Sequence, residues 1–243
     1  MLCADYGRAI TMNTLSPVRV VAFLKTVSLF DGVDEEDLMR LMPSCRFKRY
    51  AKGAELFSEG EPGDQMFLIL AGRLTVQRIN EQGQTLFIAE REAGDYIGEL
   101  ALIDGQPRSA DVVASETVEV LRLERVAFLE WVQQHPKAMW ALVQTITARL
   151  RETMELLDCF VSKDAMGRLC DCLLKLSRKG TRLSDDCVLL ERITQERLAE
   201  RIYSDRATVN RLISNLEQLK AIERDGRQLI LKDHGRLHRL ADQ

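Results

Sequence analysis

The stretch from Gly98 to Ala110 concentrates side chains that can bind a sugar phosphate. Arg108 offers a guanidinium fork and Ser109 a hydroxyl, and a helix that starts at Gly98 adds backbone N–H donors, a set that suits an anionic phosphate. Glu99 repels a phosphate but accepts from neutral donors such as a ribose hydroxyl. The stretch therefore predicts a site for both ends of a ribose phosphate. The alternative is an ordinary strand and turn with a surface Arg-Ser pair.

A second set of residues with a chemical use lies near the C-terminus. Arg206, Asn210 and Arg211 stand near the start of a predicted helix at 206–219, whose apolar positions face inward. Arginine and asparagine at this end of a helix can reach base edges in the major groove of DNA. The alternative is a small helical bundle with solvated arginines.

The neighbouring residues predict how this helix is held. Thr194 can cap a preceding helix, residues 203–205 turn the chain, and residues 222–231 read as a hairpin. Two helices joined by a tight turn and followed by a β-hairpin make a winged helix-turn-helix. A helix capped by Asp164 precedes them, and the break at 162–164 predicts a hinge.

The phosphate-binding stretch lies among short runs that predict β-strands separated by glycines, after a short amphipathic helix at 31–41. The runs are Cys45–Tyr50, Glu55–Ser58, Gln65–Leu70, Leu74–Ile79, Thr85–Glu90, Asp111–Ala114 and Thr117–Leu123. Such runs favour an antiparallel β-roll of the jelly-roll kind. With the helical C-terminal part, the chain is predicted to have an α+β fold.

A long helix is predicted from about Val126. Apolar positions in it alternate in steps of three and four, which is the pattern of a coiled-coil seam that faces a partner helix. They are Val143, Ile146, Leu150, Thr153, Leu157 and Phe160. Thr153 is the polar member, and from the residues alone it either sets the register of the seam or contacts a ligand.

Charge is distributed unevenly over the 243 residues. Residues 164–243 hold 16 Lys and Arg against 13 Asp and Glu, which leaves 18 against 24 for residues 1–163. The basic C-terminal part is therefore the candidate for nucleic acid, and the acidic N-terminal part is not.

Other classes of function have weaker support. The six cysteines lack the spacing of a metal site, and His234 and His238 have no third ligand nearby. No nucleophile stands at a telling distance from a base, so an enzyme is not expected. Neither a membrane span nor a signal peptide is visible, which predicts a cytoplasmic protein with reduced thiols.

The stretch from Gly98 resembles the phosphate-binding cassette of the cyclic-AMP receptor protein/fumarate-nitrate regulator (CRP/FNR) family of transcription regulators. The resemblance implies that Glu99 binds the ribose 2′-hydroxyl and Arg108 the cyclic phosphate. It adds Gly98, Ser109 and the backbone of Leu100 and Ala101 to the nucleotide site.

The resemblance also gives the long helix a part in ligand binding. Thr153 aligns with a threonine that bonds adenine in the family, and the next position is usually a serine supplied by the other subunit. Here that position is Met154, which puts the cross-subunit contact in doubt.

The helix at 206–219 is similar to the DNA-reading helix of the same family. Arg206, Thr208, Val209 and Arg211 stand at matching positions, while Ala207 replaces a common glutamate and Tyr203 stands in place of a turn glycine. The implied DNA-binding set is Thr194, Ser204, Arg206, Ala207, Thr208, Asn210 and Arg211.

The resemblance implies a homodimeric regulator that is controlled allosterically by a cyclic nucleotide, most simply cyclic AMP, without a metal. Its implied partners are double-stranded DNA with a palindromic site and RNA polymerase, with no membrane. The predicted division is an extension at 1–25, a cyclic-nucleotide-binding roll at 26–134, a dimerisation helix with hinge at 135–163 and a winged-helix domain at 164–243.

Two alternatives stay open. The first is a DNA-binding regulator of the same family with another effector, such as cyclic di-GMP, haem or 2-oxoglutarate, or with none. The second is an enzyme or adaptor controlled by a cyclic nucleotide, against which the predicted helix-turn-helix argues.

Overall fold

A computed structural model describes residues 17–184, 187–226 and 228–242. The helices are α1 (Pro17–Leu24), α2 (Glu35–Leu41), α3 (Glu99–Asp104), α4 (Arg125–Gln134), α5 (Pro136–Ser162), α6 (Ala165–Ser177), α7 (Gln195–Ile202), α8 (Arg206–Gln218) and α9 (His234–Ala241). The strands are β1 (Cys45–Tyr50), β2 (Glu55–Phe57), β3 (Gln65–Ala71), β4 (Arg73–Ile79), β5 (Thr85–Glu92), β6 (Tyr96–Ile97), β7 (Asp111–Ala114), β8 (Val118–Glu124), β9 (Thr181–Arg182), β10 (Val188–Leu189), β11 (Ile222–Asp225) and β12 (Gln228–Leu231).

The chain divides into two compact units. One consists of Met1–Arg78 with Ala89–Leu150, and the other of Ile79–Ile88 with Arg151–Gln243. The second unit thus includes the tip of the β4–β5 hairpin and the C-terminal part of α5. Each unit has its own hydrophobic core.

Two four-stranded antiparallel sheets build the β-roll. Their strand orders are β1-β8-β3-β6 and β2-β7-β4-β5. Side chains from the inner faces of the strands are buried between them, for example Phe67, Ile69 and Val120. The predicted roll is confirmed, and so is the α+β fold class, although the short strand β6 was not predicted.

The first unit has a second cluster of buried side chains outside the two sheets, which is called the first core below. Helix α1 packs into it together with the helical elements around the roll. Val21 and Leu24 are buried there, and Phe30 meets Trp131 edge to face with ring centroids 5.0 Å apart. The described end of the predicted extension at 1–25 is therefore part of this core, while residues 1–16 lie outside the described ranges.

The predicted long helix is two helices. Helix α4 ends at Gln134 and α5 begins at Pro136, with His135 between them. Proline lacks an N–H and clashes with the preceding turn inside a helix, but it is well suited to the first position of a new one. The segment predicted to be helical from about Val126 is therefore helical, with a break at His135.

The exposed apolar stripe on α5 differs from the predicted seam. Ile146 packs against the first core and the Phe160 ring packs on Tyr203 at 5.8 Å, so both are used within their own units. Met139 and Trp140, near the start of α5, are exposed, and further along the helix so are Val143, Leu150, Met154, Leu157 and Val161. The last five form the exposed apolar stripe. They keep the steps of three, four and seven that a helix partner requires.

The second unit contains the predicted winged helix-turn-helix, with helices α6 to α9 and a sheet of order β11-β12-β10-β9. Thr194 caps α7 by accepting from the Arg197 N–H at 3.2 Å. Asp205 caps α8 by accepting from the Thr208 N–H at 2.8 Å. These local contacts start both helices where the sequence predicts them.

Tyr203 forms the turn between α7 and α8 in the left-handed conformation, with φ 49°. This conformation is unfavourable for a residue with a side chain. The Tyr203 ring packs on Phe160, and its hydroxyl accepts from the Asn80 side-chain amide at 2.6 Å. Contacts of the side chain therefore offset the strain that a glycine would avoid.

The described ranges contain no helix that combines the length and apolar character a membrane span needs.

Candidate nucleotide site and nucleic-acid interface

The segment from Gly98 to Ala110, called the cassette below, follows β6. It contains α3 and an exposed turn and leads into β7. Gly98 precedes α3 with φ 88°, and Gly105 ends it with φ 69°. A Cβ at Gly98 would lie 2.6 Å from Nη1 of Arg108. Glycine is therefore required at Gly98 both for the backbone conformation and for the room that the arginine occupies.

Arg108 is buried, with 5% of its surface exposed. Its Nη1 donates to the Gly98 carbonyl at 2.9 Å and its Nη2 to the Gln65 carbonyl at 2.6 Å. The guanidinium carbon lies 4.2 Å from the centre of the Phe57 ring. The charged group is thus fixed in position by two carbonyls and a ring face.

Burial lowers the pKa of Arg108 from its ordinary value, and the nearby carboxylates of Asp64, Glu61 and Glu99 oppose this shift. Arginine nevertheless stays protonated at neutral pH because its ordinary pKa is so high. The site therefore holds a buried positive charge.

The loop between β2 and β3, at residues 60–63, contacts the end of the cassette. The Arg108 N–H donates to the Glu61 carbonyl at 2.8 Å, and the Gly60 N–H donates to the Arg108 carbonyl at 2.9 Å. A Cβ at Gly63 would lie 2.3 Å from the Ala101 Cβ. This close approach, which only glycine permits, brings α3 and the Arg108 side chain against the loop.

Glu99 is buried, with 2% exposed, and is paired with a residue that the sequence did not suggest. Its Oε1 accepts from Nη1 of Arg149 at 2.6 Å, and Nη2 of Arg149 donates to the Tyr96 carbonyl at 2.5 Å. The Arg149 guanidinium also lies 5.1 Å from the centre of the Tyr96 ring. Arg149 belongs to α5, so the cassette is connected to that helix by a buried ion pair.

Two polar atoms of the cassette are buried without a hydrogen-bond partner among the described residues. They are Nε of Arg108, a donor, and Oε2 of Glu99, an acceptor. Unpaired buried polar atoms are rare and unfavourable in folded proteins. A ligand with both an anionic group and a hydroxyl matches their chemistry.

The remaining cassette residues are divided between surface and interior. Ser109 and Leu100 are exposed and Ala101 is buried. Thr153 and Met154 lie on the part of α5 that belongs to the second unit, and both are exposed. Their part in nucleotide binding stays a prediction.

Helix α8 presents Arg206, Ala207 and Arg211 on its exposed surface. Asn210 and Ser204 are half-buried. The Thr208 hydroxyl donates to Oδ2 of Asp205 at 2.8 Å.

The predicted DNA-binding residues thus differ in what they do in the structure. Thr194 and Thr208 take part in helix capping. Arg206, Ala207 and Arg211 are exposed on α8. All of them lie in the second unit.

The hairpin that follows α8 is tied to it. Arg224 of β11 contacts Ser214 at 3.4 Å and Glu217 at 3.1 Å, and Lys232 pairs with Glu223 across the hairpin at 2.8 Å. These contacts fix the hairpin beside the helix that carries the arginines.

In the parts of the chain that the structure describes, no group of three His, Cys, Asp or Glu side chains is arranged to hold a metal ion. Burial raises the pKa of Cys172 to about 11 and that of Cys170 to about 12. Thiols with such pKa values are protonated at neutral pH and are poor nucleophiles.

Two family models match the chain in the order that the fold suggests. Residues 47–135 match the cyclic nucleotide-binding domain, and residues 167–240 match the Crp-like helix-turn-helix domain. The first covers the β-roll with the cassette, and the second covers α7, α8 and the hairpin.

Known proteins of similar sequence and structure are transcription regulators. The chain is 26% identical over 219 residues to the CRP-like cAMP-activated global transcriptional regulator of Mycobacterium tuberculosis, covering 90% of this chain and 98% of that protein. A CRP/FNR family regulator of Thermus thermophilus has a similar fold, with a TM-score of 0.67 at 24% identity over 82% of this chain and 99% of the other.

The c-di-GMP responsive global regulator CLP of Xanthomonas campestris also has this fold. Its TM-score is 0.73 at 18% identity, over 82% of this chain and 99% of the other. A cyclic nucleotide-binding domain and a Crp-like helix-turn-helix domain thus follow one another in a chain whose relatives are CRP-like regulators. The chain belongs to the CRP/FNR family of transcription regulators.

Proposed function

We propose that the protein is a homodimeric DNA-binding regulator whose effector is a cyclic nucleotide, most simply cyclic AMP. The observation that carries the proposal is the pair of unpartnered buried atoms in one cassette, Nε of Arg108 and Oε2 of Glu99. One has a positive charge for a phosphate, and the other is an acceptor for a ribose hydroxyl.

In this proposal the phosphate replaces existing contacts of Arg108. The terminal nitrogens already donate to two carbonyls, so an anion must compete with Gly98 and Gln65 for these donors. An anionic acceptor is favoured because it adds the attraction of opposite charges to the hydrogen bond, which a neutral carbonyl lacks.

The ribose contact gives the ligand a route to α5. A hydroxyl that donates to Oε2 of Glu99 changes the charge environment of the carboxylate that Arg149 holds through Oε1. Since Arg149 is part of α5, ligand binding and the arrangement of this helix become coupled. The ligand shifts the population toward a DNA-competent state only by as much as it prefers that state.

The identity of the effector rests on the cassette and on the relatives. The M. tuberculosis relative is named a cAMP-activated regulator, which favours cyclic AMP. The X. campestris protein of similar fold is named c-di-GMP responsive, and Met154 departs from the family pattern, so cyclic di-GMP is the second candidate.

Homodimerisation is supported by the exposed stripe on α5. Leucine, valine and methionine side chains at heptad-like spacing on a surface are unfavourable in water and suit a second helix. Two copies of α8 related by a twofold axis would read a palindromic DNA site, with half-sites about one helical turn apart.

Calorimetric titration of the nucleotide-free protein with cyclic AMP, cyclic GMP and cyclic di-GMP tests the proposal. We expect cyclic AMP to bind most tightly, and we expect sedimentation of the same samples to give the mass of a dimer. Absence of binding for all three nucleotides would overturn the effector assignment.

Thr153→Ala tests the adenine contact. If the Thr153 hydroxyl bonds adenine, the substitution should weaken cyclic AMP binding up to about tenfold, the worth of one hydrogen bond. Thr147→Ala is the matched control, because the Thr147 hydroxyl donates to the Val143 carbonyl within the same helix at 2.8 Å. Calorimetry measures both. Unchanged affinity in Thr153→Ala would reject the adenine role.

Ala207→Glu tests how α8 reads DNA. Alanine has no acceptor for a cytosine amino group, so we expect the base pair that it faces to be unspecified or A·T in the selected site. Glutamate should shift the preference toward cytosine by about 1–3 kcal/mol per half-site. Binding-site selection at one fixed salt concentration is the measurement, with Gln218→Glu as a control for added charge at the far end of the helix. If the unmodified protein already requires G·C there, this docking of α8 is wrong.

A further inference from the structure

The side chain of Arg206 is held by two residues of the other helix of the motif. Its Nη1 lies 2.8 Å from Oε1 of Glu196, and its Nε donates to Oε1 of Gln195 at 3.5 Å. Gln195 and Glu196 form the first turn of α7, and Arg206 is the first residue of α8. The N-terminal ends of the two helices are therefore joined through one guanidinium.

This arrangement restricts how Arg206 can meet DNA. A guanidinium carries five N–H donors in a planar fork, and recognition of guanine needs two of them in the plane of the base. The contact to Glu196 uses one N–H of Nη1 and the contact to Gln195 uses the N–H of Nε, so the second N–H of Nη1 and both N–H groups of Nη2 remain for a base. The two contacts favour one orientation of the guanidinium plane before any base is met, which lowers the entropic cost of one bidentate contact.

The carboxylate of Glu196 also acts on the electrostatics of the surface. It is about half exposed, as is Arg206, with 55% and 64% of the side chains accessible. An uncompensated carboxylate at this position would repel DNA phosphates. Paired with Arg206 it is neutralised, and the pair removes one cation from those that can contact phosphates without regard to sequence.

A second carboxylate at the turn has another task. Asp205 accepts from the Thr208 N–H and hydroxyl through its two oxygens, each at 2.8 Å. These contacts lower the pKa of Asp205 from its ordinary value. Asp205 thus serves the cap of α8, whereas Glu196 is directed at the arginine.

We infer that Glu196 is a positioning residue that makes Arg206 specific for guanine and withholds it from phosphates. The inference rests on the proposed reading of DNA by α8. With Glu196 present, a non-guanine base leaves Arg206 paired but without a base contact. Without the carboxylate, the long arginine side chain swings to a phosphate instead, and binding to all sequences rises.

Glu196→Gln is the test, made in the whole chain saturated with cyclic AMP. We expect discrimination at the base pair that Arg206 reads to fall roughly tenfold in each half-site, within the range of one direct contact. Affinity for an unrelated duplex should rise, and the slope of log affinity against log salt should become steeper by about one, as for one added phosphate contact.

The matched control is Glu200→Gln, which removes the same charge one turn further along α7. Arg206→Ala is combined with Glu196→Gln because, once the arginine is gone, the carboxylate has nothing to position and discrimination should not change further. Glu196 is exposed, so thermal unfolding should be alike in all the α7 variants.

Three outcomes would overturn the inference. One is unchanged discrimination in Glu196→Gln, and another is an equal change in Glu200→Gln, which would indicate long-range charge alone. The third is altered specificity at a base pair other than the one Arg206→Ala affects, since Glu196 would then read a base itself. If the unmodified protein selects no palindromic DNA at all, it is the proposed function that fails.

Discussion

Arg149→Ala should lower the free energy of unfolding of the first unit, which contains the β-roll, by about 3 kcal/mol. The substitution leaves the buried Glu99 carboxylate without its charged partner. Glu99 is 2% exposed and Arg149 19%. Removal of one member of a buried ion pair costs about 3–5 kcal/mol, and the partial exposure of Arg149 favours the lower end of that range. The Tyr96 carbonyl loses a donor as well.

Chemical denaturation, with a probe that reports the β-roll, measures this effect. Arg151→Ala is the control, since Arg151 is exposed on the same helix two residues away. Combining Arg149→Met with Glu99→Gln should restore part of the lost stability, because no buried charge is then left without a partner. Equal unfolding curves for Arg149→Ala and the unmodified protein would contradict the buried pair.

Arg108→Leu should abolish cyclic-nucleotide binding at the concentrations used in calorimetry. The phosphate would lose hydrogen bonds from a charged group, each worth about 1.5–3 kcal/mol, so that two of them amount to a loss of a hundredfold or more. The same substitution leaves the carbonyls of Gly98 and Gln65 without donors. We therefore expect a measurable loss of stability in addition to the loss of binding.

Two further variants separate binding from folding. Arg108→Lys keeps the charge but not the fork, and should retain weak binding. Arg125→Leu removes another arginine that supports the cassette, since Nε of Arg125 donates to the Leu102 carbonyl at 2.8 Å. If Arg125→Leu abolished binding as completely as Arg108→Leu, the loss would follow from disturbed structure and not from the phosphate contact.

Arg108 and Arg206 are held in different ways. Arg108 is buried, stacked on a ring and held by backbone carbonyls, which suits a fixed ligand of one shape. Arg206 is exposed and held by the side chains of Gln195 and Glu196. Side-chain contacts at a surface are weak, which allows Arg206 to exchange partners when a duplex arrives.

Features that depend on neighbouring residues were predictable from the sequence. The strands of the roll follow alternating patterns, and Asp164 and Thr194 cap the helices that come after them. The nucleotide site was predicted from Glu99, Arg108 and Ser109 because they lie close together along the chain. The break before α5 also has a local cause in Pro136.

Only the tertiary structure showed which residues, distant along the chain, pair with Glu99 and Arg108. Arg149 reaches Glu99 across fifty positions and Gln65 supplies a carbonyl to Arg108 across forty-three, and no pattern along the chain relates them. Ile146 and Phe160 fit the coiled-coil spacing as well as Leu150 and Leu157 do, yet packing within each unit partly buries the former pair and leaves the latter exposed. Periodicity selects a face of a helix, but burial depends on what the rest of the chain brings against that face.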